Sequence, residues 1–352
     1  MRQPDQDRLN VFLGRMVGDL GAVASGALVL LGDHLGLYKA MRDGEKMSAA
    51  DVARRAGVHE RYVREWLSAQ AAAGYVEYDE GEDRFYLNPE QATVFADEDS
   101  PAAMSGAFEV FSSLWLDEPK VADAFRTGKG LPWHDHSACL FSGTERFFRP
   151  GYKANLVSAW LPALEGMVGK LERGARVADV GCGHGASTIV MARAFPNSRF
   201  TGFDSHPVSI DRARQAAADA GVAANTSFEV AQAKSYRGPY DLVAFFDCLH
   251  DMGDPVGASA HVRETLAPDG TWMIVEPFAS DRLSGNLNPV GRVYYSASTM
   301  ICTPASLAQE VGLGLGAQAG ELKLRQVVTA GGFSRFRRVA ETPFNMVLEA
   351  RP

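Results

Sequence analysis

Cysteine is scarce in this chain. The four thiols, Cys139, Cys182, Cys248 and Cys302, fall at no CxxC spacing. That excludes a disulfide framework and a finger-type zinc site, and free thiols in a reducing cytoplasm are expected. Basic residues are also short: 35 Lys and Arg stand against 43 Asp and Glu, for a net charge of -8. A nucleic-acid or anionic-membrane partner needs clustered cations, so neither is expected. Long apolar runs are missing too. The most apolar early stretch, Leu20 to Leu31, is short of the roughly 20 residues of a membrane span and is flanked by Arg15, Asp19, Asp33 and His34. The start, MRQPDQDRLN, lacks the shape of a signal peptide.

What is present is ample for a globular protein. The 352 residues allow two cores, and 46% are hydrophobic. Residues 8 to 31 and 34 to 41 read as helices. The first is apolar enough to require a partner, its own domain or a second subunit, and a homodimer is expected.

Residues 48 to 88 then follow a compact pattern. Ser48 caps a helix over 49–56, Gly57 ends it, and residues 59–73 carry Tyr62, Val63, Trp66, Leu67 and Gln70 at helical spacing. Two short strands, 75–78 and 84–87, flank the turn Asp79–Asp83. Helix, turn, helix and hairpin make a winged helix-turn-helix. From Ser48 to Glu90 five arginines meet nine carboxylates. Phosphates would be repelled, so a structural or dimerising role is expected in place of DNA reading.

Residues 89 to 175 read as connecting helices punctuated by Pro101, Pro119, Pro132, Pro150 and Pro162. They are dense in aromatics, fit either for interdomain packing or for the wall of an apolar pocket. His134 and His136 alternate on a loop without a third ligand at a known spacing, so no metal site is expected.

From Arg176 onward strands and helices alternate. Strands are expected at 176–180, 199–203, 227–230, 240–246 and 271–276, and helices at 187–195, 209–220 and 258–266. A terminal antiparallel hairpin is expected over 333–339 and 344–348. That is an α/β parallel sheet with helices on both faces. Ligands of such sheets bind at the carboxyl ends of the strands. Those ends carry Asp179 to Gly185, Asp204, Gln232 with Ala233, Asp247 to Asp251, and Glu276.

The loop Gly181-Cys-Gly-His-Gly185 lets backbone approach a ligand. Gly181, Gly183 and Ala186 satisfy even the loose GxGxxA form of a dinucleotide site. Asp179 argues against a pyrophosphate there, since like charges about 4 Å apart repel by roughly 4 kcal/mol at a dielectric of about 20. An ammonium or sulfonium would be attracted. Asp204, at the next strand end, suits the two hydroxyls of a ribose.

Residues 177 to 348 resemble the class I S-adenosylmethionine (SAM)-dependent methyltransferases, with Asp179-Val-Gly-Cys-Gly-His-Gly185 as their first motif. Nearly the whole chain resembles their winged-helix-containing small-molecule members, an actinobacterial group especially. The resemblance implies a Rossmann-like seven-stranded sheet with an antiparallel last strand behind an all-helical, winged-helix N-terminal domain. It implies a winged-helix or dimerisation domain over 1–95, a helical connector or lid over 96–165 and a SAM-binding domain over 166–352. Asp179, Gly181, Gly183 and Gly185 would hold the methionine moiety, Asp204 the ribose, Gln232 and Ala233 the adenine, and Asp247 would lie near the sulfonium or amino group. Gln232 replaces the usual aspartate, and its carbonyl can accept the same bond.

The segment Asp247-Cys-Leu-His-Asp-Met-Gly-Asp254 resembles the HDW-type stretch of those enzymes, with Met252 for tryptophan. His250 would be the general base and Glu276 its orienting carboxylate. The implied reaction is methyl transfer to a small, fairly apolar molecule at oxygen, by in-line displacement, leaving S-adenosylhomocysteine. Two other readings stay open, a SAM-binding transcriptional regulator and a SAM enzyme without net methyl transfer. The stretch 277–320 is an insert that could close over substrate.

Overall fold

The computed structural model describes residues 3–352; Met1 and Arg2 of the expected 1–95 domain lie outside the described residues. Contacts divide the chain into two units, 1–112 with 142–150, and 113–141 with 151–352. The stretch 96–165 is thus shared between them.

The first unit opens with α1 (Gln6–His34), capped by the Asp5 side chain. It outruns the expected 8–31 at both ends. At 29 residues it is long and apolar enough to cross a bilayer, which corrects the length argument made from residues 20–31. Val11, Phe12, Leu13, Met16, Val17, Leu20 and Val23 are all exposed along it. Its last turns are packed: a Cβ at Gly32 would come within 2.4 Å of the Trp66 ring, so only glycine fits. The short helix α2 (Leu37–Ala40) is one turn, where 34–41 was expected.

The winged unit follows as α3 (Ala49–Ala56), α4 (Glu60–Ala72), β1 (Glu77–Asp79), β2 (Arg84–Tyr86) and α5 (Pro89–Phe95). Ser48 and Asp51 form a reciprocal capping box, and Gly57 ends α3 at φ 70°. Tyr38, Val52, Trp66, Leu67, Phe85 and Leu87 fill the core. The buried Tyr38 hydroxyl donates to Gln70 Oε1 at 2.6 Å.

Helices α6 (Ser105–Thr127) and α7 (Ala138–Asn155) run through both units. Two of the expected breakers do not break: Pro119 and Pro150 lie inside them. Each proline removes only one N–H, and packing along the rest sustains the helix. In the second unit, α8 (Leu161–Ala163) and α9 (Met167–Arg173) lead into the sheet.

The sheet is formed by β3 (Arg176–Val180), β4 (Arg199–Asp204), β5 (Thr226–Val230), β6 (Tyr240–Phe246), β7 (Leu266–Pro277), β8 (Arg335–Glu341) and β9 (Asn345–Arg351). Their order is β5-β4-β3-β6-β7-β9-β8, parallel throughout except for β9. The seven-stranded sheet with its reversed last strand is therefore as expected. Its helices include α10 (Ala186–Ala194), α11 (Pro207–Asp219) and α12 (Pro255–Thr265). Residues Leu242 to Phe245 are fully buried, as a central strand covered on both faces requires. The stretch 277–320 is folded, with α13 (Pro289–Ala297), a π-helical turn at Ser298–Cys302 and α14 (Thr303–Leu307), before α15 (Gly320–Ala330).

Candidate functional site

Strand order reverses at β3, between β4 and β6, which opens a crevice at their carboxyl ends. The expected acidic residues gather there. Asp179, the fourth residue of β3, is 1% exposed. Its Oδ2 accepts from the Ser187 and Thr188 hydroxyls, both at 2.6 Å. Its Oδ1 is buried and has no hydrogen-bond partner among the described residues. Burial raises this carboxyl to about 6 despite those two donors.

The glycine loop is wound as the resemblance implies. Gly181, Gly183 and Gly185 have φ of 75°, 52° and 81°. A Cβ at Gly181 would meet Cys248 Sγ at 2.8 Å, whereas one at Gly183 would meet nothing within 4 Å. The Gly183 backbone thus borders open space. Its N–H donates to Asp204 Oδ2 at 2.9 Å, and the His206 N–H donates to Oδ1 at 2.8 Å. Each of those oxygens retains a second lone pair. Burial also raises the Asp204 carboxyl.

Asp247 follows β6 at φ 50°, a strained conformation for a residue with a Cβ. Asn345 Nδ2 donates to its Oδ1 at 2.9 Å, and the Tyr152 hydroxyl stands 3.5 Å from its Oδ2. Burial, with Glu276 next, pushes its pKa well above the usual range. Gln232 and Ala233 lie in the turn after β5, and the Gln232 side chain is exposed.

Glu276 and His250 are brought together. Glu276 Oε2 is 2.6 Å from His250 Nδ1, and its Oε1 accepts the Leu249 N–H at 3.0 Å. His250 is 3% exposed, and its Nε2 stands 3.3 Å from Asp251 Oδ1. Burial opposes a charged ring, but Asp251 and Glu276 outweigh it and hold the imidazole pKa well above its usual value. The Nε2 of this ring faces Asp251 Oδ1.

His134 and His136 diverge. His136 Nδ1 lies 3.1 Å from Asp117, while the His134 ring stacks on His206 with centroids 5.1 Å apart.

Residues 171–319 match the family model described as a methyltransferase domain. Residues 23–96 match that of the Rv2258c-like winged HTH domain. The chain pairs a methyltransferase domain with a winged helix-turn-helix domain. Among curated proteins it is similar to the trans-aconitate 2-methyltransferase of Streptomyces coelicolor, 32% identical over 114 residues, which are 32% of this chain and 38% of that protein. The enzyme of the same name from Streptomyces avermitilis is 30% identical over 115 residues, 32% of this chain and 43% of that protein. The chain thus spans less than half the length of these relatives. Among solved structures it resembles human N-acetylserotonin methyltransferase in complex with SAM, with TM-score 0.67 and 17% identity over 100% of this chain and 99% of that one. It also resembles mitomycin 7-O-methyltransferase, with TM-score 0.68 and 18% identity over 98% and 100%. These last two likenesses are of fold.

Several residues of the methyltransferase domain's crevice carried no legible signal. Asn345 and Tyr152 reach Asp247 from 98 and 95 positions away. Ser187 and Thr188 could have been found, because two hydroxyls in the first turn behind a glycine loop face back toward the preceding strand end.

Proposed function

We propose that the chain binds SAM in the crevice at the ends of β3, β4 and β6 and transfers its methyl group to oxygen of a small, fairly apolar molecule. The observation that carries this reading is Asp179 Oδ1, a buried carboxylate oxygen left without a donor behind a loop that leaves room at Gly183. A buried anionic oxygen costs free energy unless something cationic meets it. SAM supplies an ammonium group to meet it and an electrophilic methyl on its sulfonium. The fit of the crevice supports the cofactor: Asp179, with the Gly181–Gly185 backbone, holds the amino-acid end. Asp204 takes the ribose hydroxyls on its remaining lone pairs. Ala233 and Gln232 border the adenine, and Asp247 places a second carboxylate near the positive charge.

The acceptor class follows from what surrounds Asp247. The Tyr152 ring packs 5.2 Å from Phe246 and 6.2 Å from Trp160. Tyr294 is 6% exposed. Aromatic walls beside carboxylates favour a neutral, fairly apolar acceptor and repel an anionic one. Catalysis then rests on alignment of acceptor and methyl. Glu276 orients His250 through Nδ1 at 2.6 Å, which supports His250 as the general base for the acceptor hydroxyl.

The partner and location readings rest on the first unit. The exposed apolar face of α1 supports a homodimer formed through a winged-helix or dimerisation domain over 1–95, followed by a connector or lid over 96–165 and a SAM-binding domain over 166–352. The five arginines of the winged unit support the absence of a DNA role. Arg54 and Arg84 pair with Asp51, Arg55 with Asp43 and Glu45, Arg61 with Glu65, and Arg64 with Glu60 and Asp83. The four free thiols support a reducing, cytoplasmic setting.

Calorimetry with SAM tests the cofactor. Absent binding, or binding unchanged in Asp179→Ala and Asp204→Ala, would overturn it. A panel of phenolic, carboxylic and amine acceptors with methyl-labelled SAM tests the reaction, and S-adenosylhomocysteine must form with turnover. Light scattering on the eluting protein tests the dimer. A monomer, or protein that sediments with membranes, removes it.

A further inference from the structure

We propose that His136 selects the methyl acceptor: its Nε2 accepts a hydrogen bond from a second O–H or N–H group of that molecule, beside the group that receives the methyl. The proposal rests on the methyl-transfer reading of the crevice. It narrows the acceptor class to molecules with two or more donor groups.

The Nε2 atom is buried, in a side chain 1% exposed, and has no hydrogen-bond partner among the described residues. The ring's other nitrogen is fixed. Asp117 Oδ2 stands 3.1 Å from Nδ1 and also accepts the Ser137 N–H at 2.8 Å. Asp117 Oδ1 accepts from the Ser137 hydroxyl at 2.7 Å and from Lys120 Nζ at 2.8 Å. Burial opposes a charge there, but these donors hold the Asp117 carboxyl down at about 2, so it is ionised and can only accept. Nδ1 must then carry the proton. Burial also lowers the pKa of the His136 ring, and Asp117 offsets only part of that. The ring is therefore neutral near pH 7, with a bare lone pair on Nε2. A buried acceptor left bare costs free energy until a donor meets it.

The segment that carries His136 is anchored on both sides of the crevice. On one side the Leu131 N–H donates to the Pro304 carbonyl of α14 at 3.0 Å. That helix follows the π-helical turn whose Cys302 stands within 4.8 Å of the His250 and Asp251 donor atoms. On the other side Phe141 and His134 stand against His206, with ring centroids 4.6 and 5.1 Å away, and the His206 N–H donates to Asp204. His136 thus falls between Asp204 and the turn after β6, and Asp251 is near enough to act on the charge of its ring. A carboxylate there repels an anionic group, and a bare lone pair gains nothing from a ketone or an ether. A neutral hydroxyl or an amine N–H satisfies both. A site built around such a bond rejects the analogue that lacks the donor.

Nitrogen-15 spectra of the eight histidines in the full chain test the assignment, with His136 identified by the signals lost in His136→Phe. At pH 7 the free protein should show its Nδ1 protonated and its Nε2 bare. Catechol and resorcinol, each beside its monomethyl ether, are then titrated with S-adenosylhomocysteine present. The diols should shift the Nε2 signal and bind at least about tenfold tighter than their ethers, and His136→Phe should erase that preference. A protonated Nε2 in the free protein, a signal that no probe moves, or a preference that survives His136→Phe overturns the proposal. Should His136→Phe unfold by circular dichroism, His136→Asn takes its place, since its amide still donates to Asp117 and nothing stands at Nε2. Calorimetry with S-adenosylhomocysteine on the same samples separates the two readings. Its failure counts against the cofactor, while the proton position and the diol preference still decide on His136.

Discussion

Asn345 Nδ2 donates to Asp247 Oδ1 at 2.9 Å, joining the first residue of β9 to the strained residue that follows β6. Asp247 holds φ 50° and a buried charge, and this amide is its closest donor. Asn345→Ala removes the donor and leaves the carboxylate oxygen bare. A lost bond to a charged group costs about 1.5–3 kcal/mol. SAM affinity is expected to fall about tenfold or more, with the far-ultraviolet spectrum unchanged. Wild-type affinity in calorimetry would remove Asn345 from the site.

The pH dependence of SAM binding has a definite sign. Burial raises the folded pKa of Asp179 from 3.8 to about 6. Keeping it ionised therefore costs the free protein stability above about pH 6, and that cost fades as pH falls toward 4. A cationic ligand needs the ionised form, so affinity must fall below about pH 6. One such group gives about a tenfold weaker Kd at pH 5 than at pH 7. Asp204, also raised, steepens the trend. Calorimetry at both pH values should show weaker, proton-releasing binding at the lower one, and a flat profile would contradict it.

The His250–Glu276 pair is buried on both sides, with side chains 4% and 2% exposed. Glu276→Gln is expected to lower unfolding free energy by about 3–5 kcal/mol, as breaking a buried pair does. Urea denaturation measures it, and a change below about 1 kcal/mol would mean the pair is solvated in solution.

The winged unit should fail to bind DNA even at low salt. Its arginines are committed to carboxylates, and the wing turn carries Asp79, Glu80, Glu82 and Asp83. A fluorescent random duplex at low ionic strength should show no retardation. Binding with a steep salt dependence would restore the regulator reading.

Local rules made much of the fold legible. Ser48, Gly57 and the turn Asp79–Asp83 announced their helices and strands because capping and turn chemistry act within a few residues. The strand ends placed Asp179, Asp204, Asp247 and Glu276 at one rim because parallel-sheet topology is nearly forced. Pro119 and Pro150 misled, since distant packing decided whether their helices continued. Nor could the surroundings of His250 be read. Sequence placed it beside Glu276 through family resemblance, yet Cys302 joins His250 and Asp251 only through the folding of 277–320.

The position of β9 between β7 and β8 has a consequence for how the protein is made. β8 and β9 are separated by three residues, so the two strands are made almost together and after the rest of the sheet. Until β9 has been made, β7 keeps an open edge and Asp247 lacks Asn345. The open edge of β7 is where chaperone protection should concentrate in that interval.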